Sequence, residues 1–278
     1  MWKESYRIGV DIVDQQHKEL FEMVESLIKI VNGGKENVRE ESMRAVAFLK
    51  DYTVKHFSDE EAYQRSVNYV GYAQHKTVHE DFIQTVLDFE RKMTETDFAE
   101  NTVKQFAGIL TTWLIYHVCG EDRKFTAAAE TLPLVYTPTY QEGFAESMKN
   151  VFVTLTGTQV ANVSAGLPQA AEDLRINVGL IGSQEGDATF VFPKETAFEI
   201  FKVMTFMEPE GIDDIMISAL CEVSNIVSGN AASVLAAGGN ACDITTPTYM
   251  EEKQPLDVTQ SLLFTTELGD VGVSVQLK

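Results

Sequence analysis

HFSDEEAY (residues 56–63) and GYAQHKTVHEDF (71–82) decide how the first half of this chain folds. The first sets Glu60 four residues after His56, and the second sets His79 four residues after His75. Residues four apart share one face of an α-helix, so each stretch aims two donor side chains the same way. Apolar residues keep that period: Phe48, Leu49 and Tyr52 accompany His56, and Phe82, Ile83 and Val86 accompany His79. An apolar face is buried against other elements, and the donors are carried inward with it.

Two flanking segments extend the pattern. IGVDIVDQQHKELF (8–21) carries His17 on the face of Leu20, Phe21, Val24 and Ile28. HVCGED (117–122) carries His117 and Asp122, with Phe106, Leu110, Trp113 and Leu114 sharing the histidine's face. These segments contain all 5 histidines of the chain. The periodicity predicts four helices, roughly 14–31, 37–64, 70–91 and 101–122, with Asp14 capping the first and Asn32-Gly33-Gly34 ending it. Short connections between helices of this length predict an antiparallel four-helix bundle.

Imidazoles and carboxylates buried together without partners would each cost roughly 1–3 kcal/mol. Coordination to metal removes that cost. All donors are nitrogen or oxygen, and His17, His56, Glu60, His75, His79, His117 and Asp122 exceed one tetrahedral zinc site. Imidazole with bridging carboxylate suits a pair of six-coordinate irons with one open position. One spacing resists a regular helix: five residues separate His117 from Asp122, about 140° of rotation. The two can meet one metal pair only from the flanks of the helix, or through a distortion that Gly120, lying between them, would permit.

Together with Trp2, these segments resemble the bacterial hemerythrins over about residues 1–132. The resemblance implies that His75, His79 and His117 bind one iron and that His17 and His56 bind the other. It implies that Glu60 and Asp122 bridge them, with an oxo or hydroxo bridge and O2 as ligand.

The composition shifts near residue 133. TLPLVYTPTY (131–140) holds two prolines and no clear period, which sets domain boundaries at 1–132, a linker at 133–139 and a second domain at 140–278. Beyond it, Leu174, Ile176, Val178 and Leu180 alternate as a strand does, and so do Val271, Val273, Val275 and Leu277. The expected order is a helix near 140–155, three strands, helices near 194–206 and 212–236, then three strands, the last two forming a hairpin. This is an α+β domain with a largely antiparallel sheet.

On the long helix, Ile212, Met216, Ala219, Val223 and Ile226 form the apolar stripe. Ser218, Glu222, Asn225 and Gly229 form a separate polar one, roughly 120° away. The S-x3-E-x2-N spacing, with Pro247 downstream, resembles the CheX/CheC/FliY phosphatases of bacterial chemotaxis. GDATFVFP (186–193) and CDITTPTY (242–249) extend the similarity, which is CheX-like in carrying one copy of the motif. It implies removal of the phosphoryl group from the aspartyl phosphate of a CheY-like response regulator, which brings its own Mg2+. Asn225 would orient the attacking water, Glu222 would pair with the regulator's lysine, and Ser218 would permit close approach. It also implies a homodimer.

Composition bounds the remaining possibilities. At 278 residues the chain has room for two domains, and 44% hydrophobic residues supply their cores. A net charge of −20 disfavours nucleic acid and anionic membrane as partners. The charge is uneven: 16 basic against 23 acidic residues up to Leu132 give −7, and 6 against 19 beyond it give −13. No apolar run of the ~18 residues needed to span a bilayer is evident. The opening MWKESYRIGV has no signal-peptide core, so the expected location is the cytoplasm. Cys119, Cys221 and Cys242 are expected as reduced thiols. The combined reading is an oxygen- or redox-sensing phosphatase. The alternative is an O2-binding or iron-holding protein whose second domain serves only dimerisation or docking.

Overall fold

The structure, a computed structural model, describes residues 1–33, 37–126, 138–182, 185–237, 239 and 242–278. It divides into two compact units, Met1–Glu130 and Thr131–Lys278. Most of the expected linker, 133–137, lies outside the described residues.

The first unit is helical: α1 (Asp11–Asn32), α2 (Val38–Ser66), α3 (Tyr72–Glu95), α4 (Glu100–Tyr116) and a short α5 (Arg123–Thr126). Helix α1 begins three residues before the expected cap. The Asp14 carboxylate instead accepts from the backbone N–H groups of Ile8 (2.7 Å) and Gly9 (3.1 Å), pinning the entering chain. The core follows the period read from the sequence: Phe21, Leu27, Leu49, Met93, Phe106 and Leu110 are fully buried. Between α4 and α5 the helix widens into one π turn, His117–Glu121, closed by the Asp122 N–H donating to His117 O at 2.9 Å.

In the second unit, α6 (Tyr140–Thr156) opens with a capping box. Thr139 Oγ1 accepts from Glu142 N, and the Glu142 carboxylate accepts from Thr139 N at 2.7 Å, so two free N–H groups of the first turn are satisfied. It stops at Gly157, whose φ of 73° suits a residue without Cβ. Strands β1 (Val160–Ala165), β2 (Asp173–Gly182) and β3 (Gly186–Pro193) lead to α7 (Lys194–Thr205) and α8 (Asp214–Ala237). Strands β4 (Cys242–Ile244), β5 (Thr248–Tyr249), β6 (Ser261–Thr266) and β7 (Gly269–Leu277) complete the chain.

The sheet runs β1-β6-β7-β3-β2-β4, with β5 also on β2, and its pairings are antiparallel. Four strands therefore follow α8 where three were expected. The extra one is the two-residue β5, held by its register against Ile176 and Asn177 rather than by any alternation of its own. The expected closing hairpin is β6–β7, with Thr266 opposite Gly269. Leu174, Ile176, Val178 and Leu180 line the buried face of β2.

Among the described residues, α8 alone is long and apolar enough to cross a membrane by length and composition, with a mean hydropathy of 1.2 over Asp214–Ala236. This differs from the expectation that no such segment exists. Here 56% of that window is buried inside the unit, as in the core helix of a domain.

Candidate metal centre and motif helix

His17 comes from α1, His56 and Glu60 from α2, His75 and His79 from α3, and His117 and Asp122 from the two ends of the π turn. All seven are buried at 2% exposure or less. One donor atom each from Glu60, His75, His79 and His117 lies within 4.8 Å of the others, and a second group joins His17, His56 and Glu60. The carboxylates reach both groups. Glu60 Oε1 lies 2.7 Å from His75 Nε2 and 3.4 Å from His79 Nε2, while its Oε2 lies 3.5 Å from His56 Nε2. Asp122 Oδ1 lies 3.1 Å from His117 Nε2 and 3.4 Å from His75 Nε2, and its Oδ2 lies 3.1 Å from His17 Nε2.

The π turn makes the contact between His117 and Asp122 possible. An i→i+5 turn stacks residue i+5 over residue i, as i+4 stacks in an α-helix, so the separation that resisted regular helix brings His117 and Asp122 together. At Gly120 a Cβ would stand 3.1 Å from the Tyr116 ring. A side chain at this position of the widened turn would have to push the Tyr116 ring aside.

The donor set fits a metal. Among the described residues, His17 Nε2, His56 Nε2, His75 Nε2, Glu60 Oε2 and both oxygens of Asp122 are buried without a hydrogen-bond partner, although nitrogens and oxygens crowd together. Six such atoms at roughly 1–3 kcal/mol each would cost a large part of a domain's stability. Two donors at right angles on a metal with bonds of ~2.1 Å lie about 3.0 Å apart, close to the spacings above.

Protonation is arranged accordingly. Burial, then the neighbouring His17, pushes the His56 imidazole down to about 3, leaving it neutral. Burial alone would raise Glu60, but His117, His75 and His79 outweigh it and hold this carboxyl well below its usual range. Burial also opposes charge on His75, yet the carboxylates of Asp122 and Glu60 prevail and push it up to about 10. A metal bound by His75 would require this imidazole to be neutral, so metal binding and proton release would be linked.

Four residues missed in the sequence hold the donors. Gln16 Oε1 faces His56 Nδ1 at 3.1 Å, and Gln16 Nε2 donates to Asp59 Oδ2 at 2.7 Å. Because a carboxylate only accepts, Asp59 fixes the amide's orientation, and His56 Nδ1 must donate. Its Nε2 lone pair then points into the cluster. Glu61 does the same for His79 Nδ1 directly, at 3.3 Å. Gln64 Nε2 donates to Glu60 Oε1 at 2.7 Å. Rings clamp the ligands from their faces: Phe57 stacks on His79 at 3.9 Å and Trp113 on His117 at 4.2 Å.

In the second unit, Met216, Ala219, Val223 and Ile226 are buried as expected for the apolar stripe. Ile212 is not: it precedes α8 and is 43% exposed. Ser218, Glu222, Asn225 and Gly229 lie partly exposed on another face of the helix. Among the described residues, neither Glu222 nor Asn225 has a hydrogen bond or ion pair. Desolvation pushes the Glu222 carboxyl up to about 7. A Cβ at Gly229 would meet only Ile244 Cδ1, at 3.9 Å, so packing does not require glycine there. Gly143 differs, since a Cβ there would press on Leu235 at 3.1 Å. Cys119, Cys221 and Cys242 are free, and burial pushes the thiols of Cys119 and Cys221 up to about 11.

Residues 8–129 match the family model of the Hemerythrin HHE cation binding domain. A bacteriohemerythrin of Clostridium acetobutylicum is 30% identical over 133 residues, covering 45% of this chain and 97% of the relative. The chain belongs to the hemerythrin family. A bacteriohemerythrin of Stenotrophomonas maltophilia is similarly 30% identical over 131 residues, 45% of this chain and 78% of the relative. The hemerythrin half contains all seven donors described above. Residues 175–264 match a second family model, Chemotaxis phosphatase CheX. Structures similar to the second unit include the chemotaxis protein CheX of Vibrio vulnificus, at TM-score 0.45 and 20% identity, covering 51% of this chain and 98% of that one. A CheX–CheY–BeF3–Mg2+ complex from Borrelia burgdorferi has TM-score 0.41 and 23% identity, covering 50% and 98%.

Proposed function

We propose that residues 1–132 are a di-iron oxygen or redox sensor, joined by residues 133–139 to a phosphatase at 140–278. His75, His79 and His117 would hold one iron and His17 and His56 the other, with Glu60 and Asp122 across both. Bound iron would supply reversible binding and reduction of dioxygen; the chain's part is to hold neutral imidazoles and ionised carboxylates in a dry site. The observation that carries the metal assignment is the cluster of buried donor atoms without partners, shared by two carboxylates. The donor chemistry favours iron over zinc.

For the second half, the supporting observation is a partly exposed carboxylate and carboxamide without partners on α8, inside the residues that match the CheX model. Phosphoryl transfer from an aspartyl phosphate needs positioning more than new covalent chemistry. Asn225 would orient water in line with the phosphoryl group of a CheY-like regulator, whose own Mg2+ neutralises the developing charge. Glu222 would ionise on meeting the regulator's lysine, which compensates its desolvation. Ser218 and Gly229 would let the partner's backbone approach closely; an uncompensated mid-helix glycine costs about 1 kcal/mol relative to alanine. The protein would act in the cytoplasm as a homodimer.

The test is phosphate release from an acyl-phosphorylated CheY-like protein by the iron-loaded chain, anaerobically and after O2 addition. Wild type should outpace Asn225→Ala, and its rate should change with O2. Equal rates for wild type and variant sink the catalytic assignment. Equal rates with and without O2 sink the coupling, which if thermodynamic is reciprocal.

A further inference from the structure

We infer that Glu61 makes the two irons unequal: its carboxylate, behind His79, gives the three-histidine iron the lower reduction potential of the pair. This rests on the two-iron reading above. The outer nitrogens of the five imidazoles are treated differently. Among the described residues, Nδ1 of His17, His75 and His117 has no hydrogen-bond partner. His56 Nδ1 donates to a neutral amide, Gln16 Oε1, at 3.1 Å. His79 Nδ1 donates to a carboxylate, Glu61 Oε1, at 3.3 Å. Among the described residues, Glu61 is thus the one anion hydrogen-bonded to a candidate ligand's outer nitrogen.

A negative charge at Nδ1 raises the electron density at Nε2, making the imidazole a stronger donor. A stronger donor favours the ferric over the ferrous ion, so the iron it ligates is oxidised first. The Gln16 amide passes on far less of this effect, because Asp59 stands one hydrogen bond further out, at 2.7 Å from Gln16 Nε2. Glu61 is also held from outside. Tyr72 OH donates to its Oε2 at 3.3 Å, and Arg65 Nη1 lies 3.6 Å from the same oxygen. The Glu61 side chain is 15% exposed, so solvent does little to screen it. Glu61 would therefore act as a positioning residue, through His79 and without touching the metal.

The experiment uses the full iron-loaded chain: iron per chain by metal analysis, then spectroelectrochemical titration of wild type, Glu61→Gln and Glu80→Gln. Glutamine keeps an acceptor at His79 Nδ1 and removes only the charge. Glu80, an exposed residue beside His79 on α3, controls for charge at a distance. Two irons per chain throughout, with a higher first potential in Glu61→Gln alone, is the expected result. Glu61→Ala, which removes the hydrogen bond too, should weaken iron at that site about 10–100-fold. Identical potentials in wild type and Glu61→Gln overturn the inference, and fewer than two irons in wild type overturn the reading beneath it. One measurement needs no variant: in half-oxidised wild type with 15N-labelled histidine, pulsed electron–nuclear double resonance should find three imidazoles on the ferric ion. Two imidazoles there overturn the inference even if Glu61→Gln fails to fold.

Discussion

The two halves use polar side chains in opposite ways. In the bundle, seven donors face one another at 2% exposure or less. On α8, Glu222 and Asn225 are partly exposed, and among the described residues their side chains have no hydrogen bond or ion pair. The first arrangement is closed on itself, so its chemistry can be inferred from the unsatisfied atoms alone. The second is open to solvent, and on the function proposed above a response regulator would supply the rest of the site. A metal centre therefore identifies itself more completely than a docking face does.

The comparison can be broken most directly by separating the halves functionally. Asn225→Ala should slow phosphate release by at least about 100-fold, the scale on which lost alignment acts. Iron per chain should not change. Glu60→Ala, which removes one of the two carboxylates reaching both groups, should lower iron from two per chain to one or none by metal analysis. It should leave the thermal unfolding of the second unit where it was. Gly120→Ala presses a methyl on Tyr116 inside the π turn and should destabilise the iron-loaded bundle by about 1–3 kcal/mol in denaturant unfolding. Gly229→Ala should do the reverse in the other half. With room for the methyl, α8 should gain about 1 kcal/mol while dephosphorylation of the regulator slows.

A further effect should come from pH. Glu222 has an ordinary value of 4.5, and desolvation pushes it up to about 7 in the folded unit. Between those values the folded state binds the extra proton, so its stability falls as pH rises through the window and levels off above it. Melting temperatures of wild type and Glu222→Gln, followed from pH 4.5 to 8, should diverge in that direction. Parallel curves would remove the buried-charge argument. The regulator's affinity should move oppositely, strengthening as Glu222 ionises.

Much of the bundle was legible because its signals are local. Pairs four apart, such as His56/Glu60 and His75/His79, share a face on any α-helix, and apolar residues of the same period say which face is inside. The spacing of His117 and Asp122 left two routes open, approach from the flanks or a distorted helix, and the π turn is the second. The consecutive acids Asp59, Glu60 and Glu61 were less legible. They take three different tasks, at Gln16, in the cluster and at His79. Neighbours one apart on a helix point in different directions, and which helix each meets is decided by packing. Gln16, beside His17, gave no signal of its own.

In the second half, alternation revealed β2 and β7, whose residues repeat over many positions. The two-residue β5 has no period to read and exists only because β2 offers it a partner at Ile176 and Asn177. Ile212 matched the helical period yet falls before α8, where Asp213 Oδ1 accepts from the N–H groups of Ile215 (3.1 Å) and Met216 (2.9 Å). A hydrogen bond, not hydrophobic period, sets that boundary. The sequence by itself determined the donor residues, the helices that carry them and the polar stripe of α8, since each depends on the spacing of near neighbours. The tertiary structure alone decided how Glu60 and Asp122 divide their oxygens between two groups, and which imidazole has a carboxylate behind it. Those relations join residues up to 105 positions apart, from His17 to Asp122, and only packing brings such residues within reach of one another.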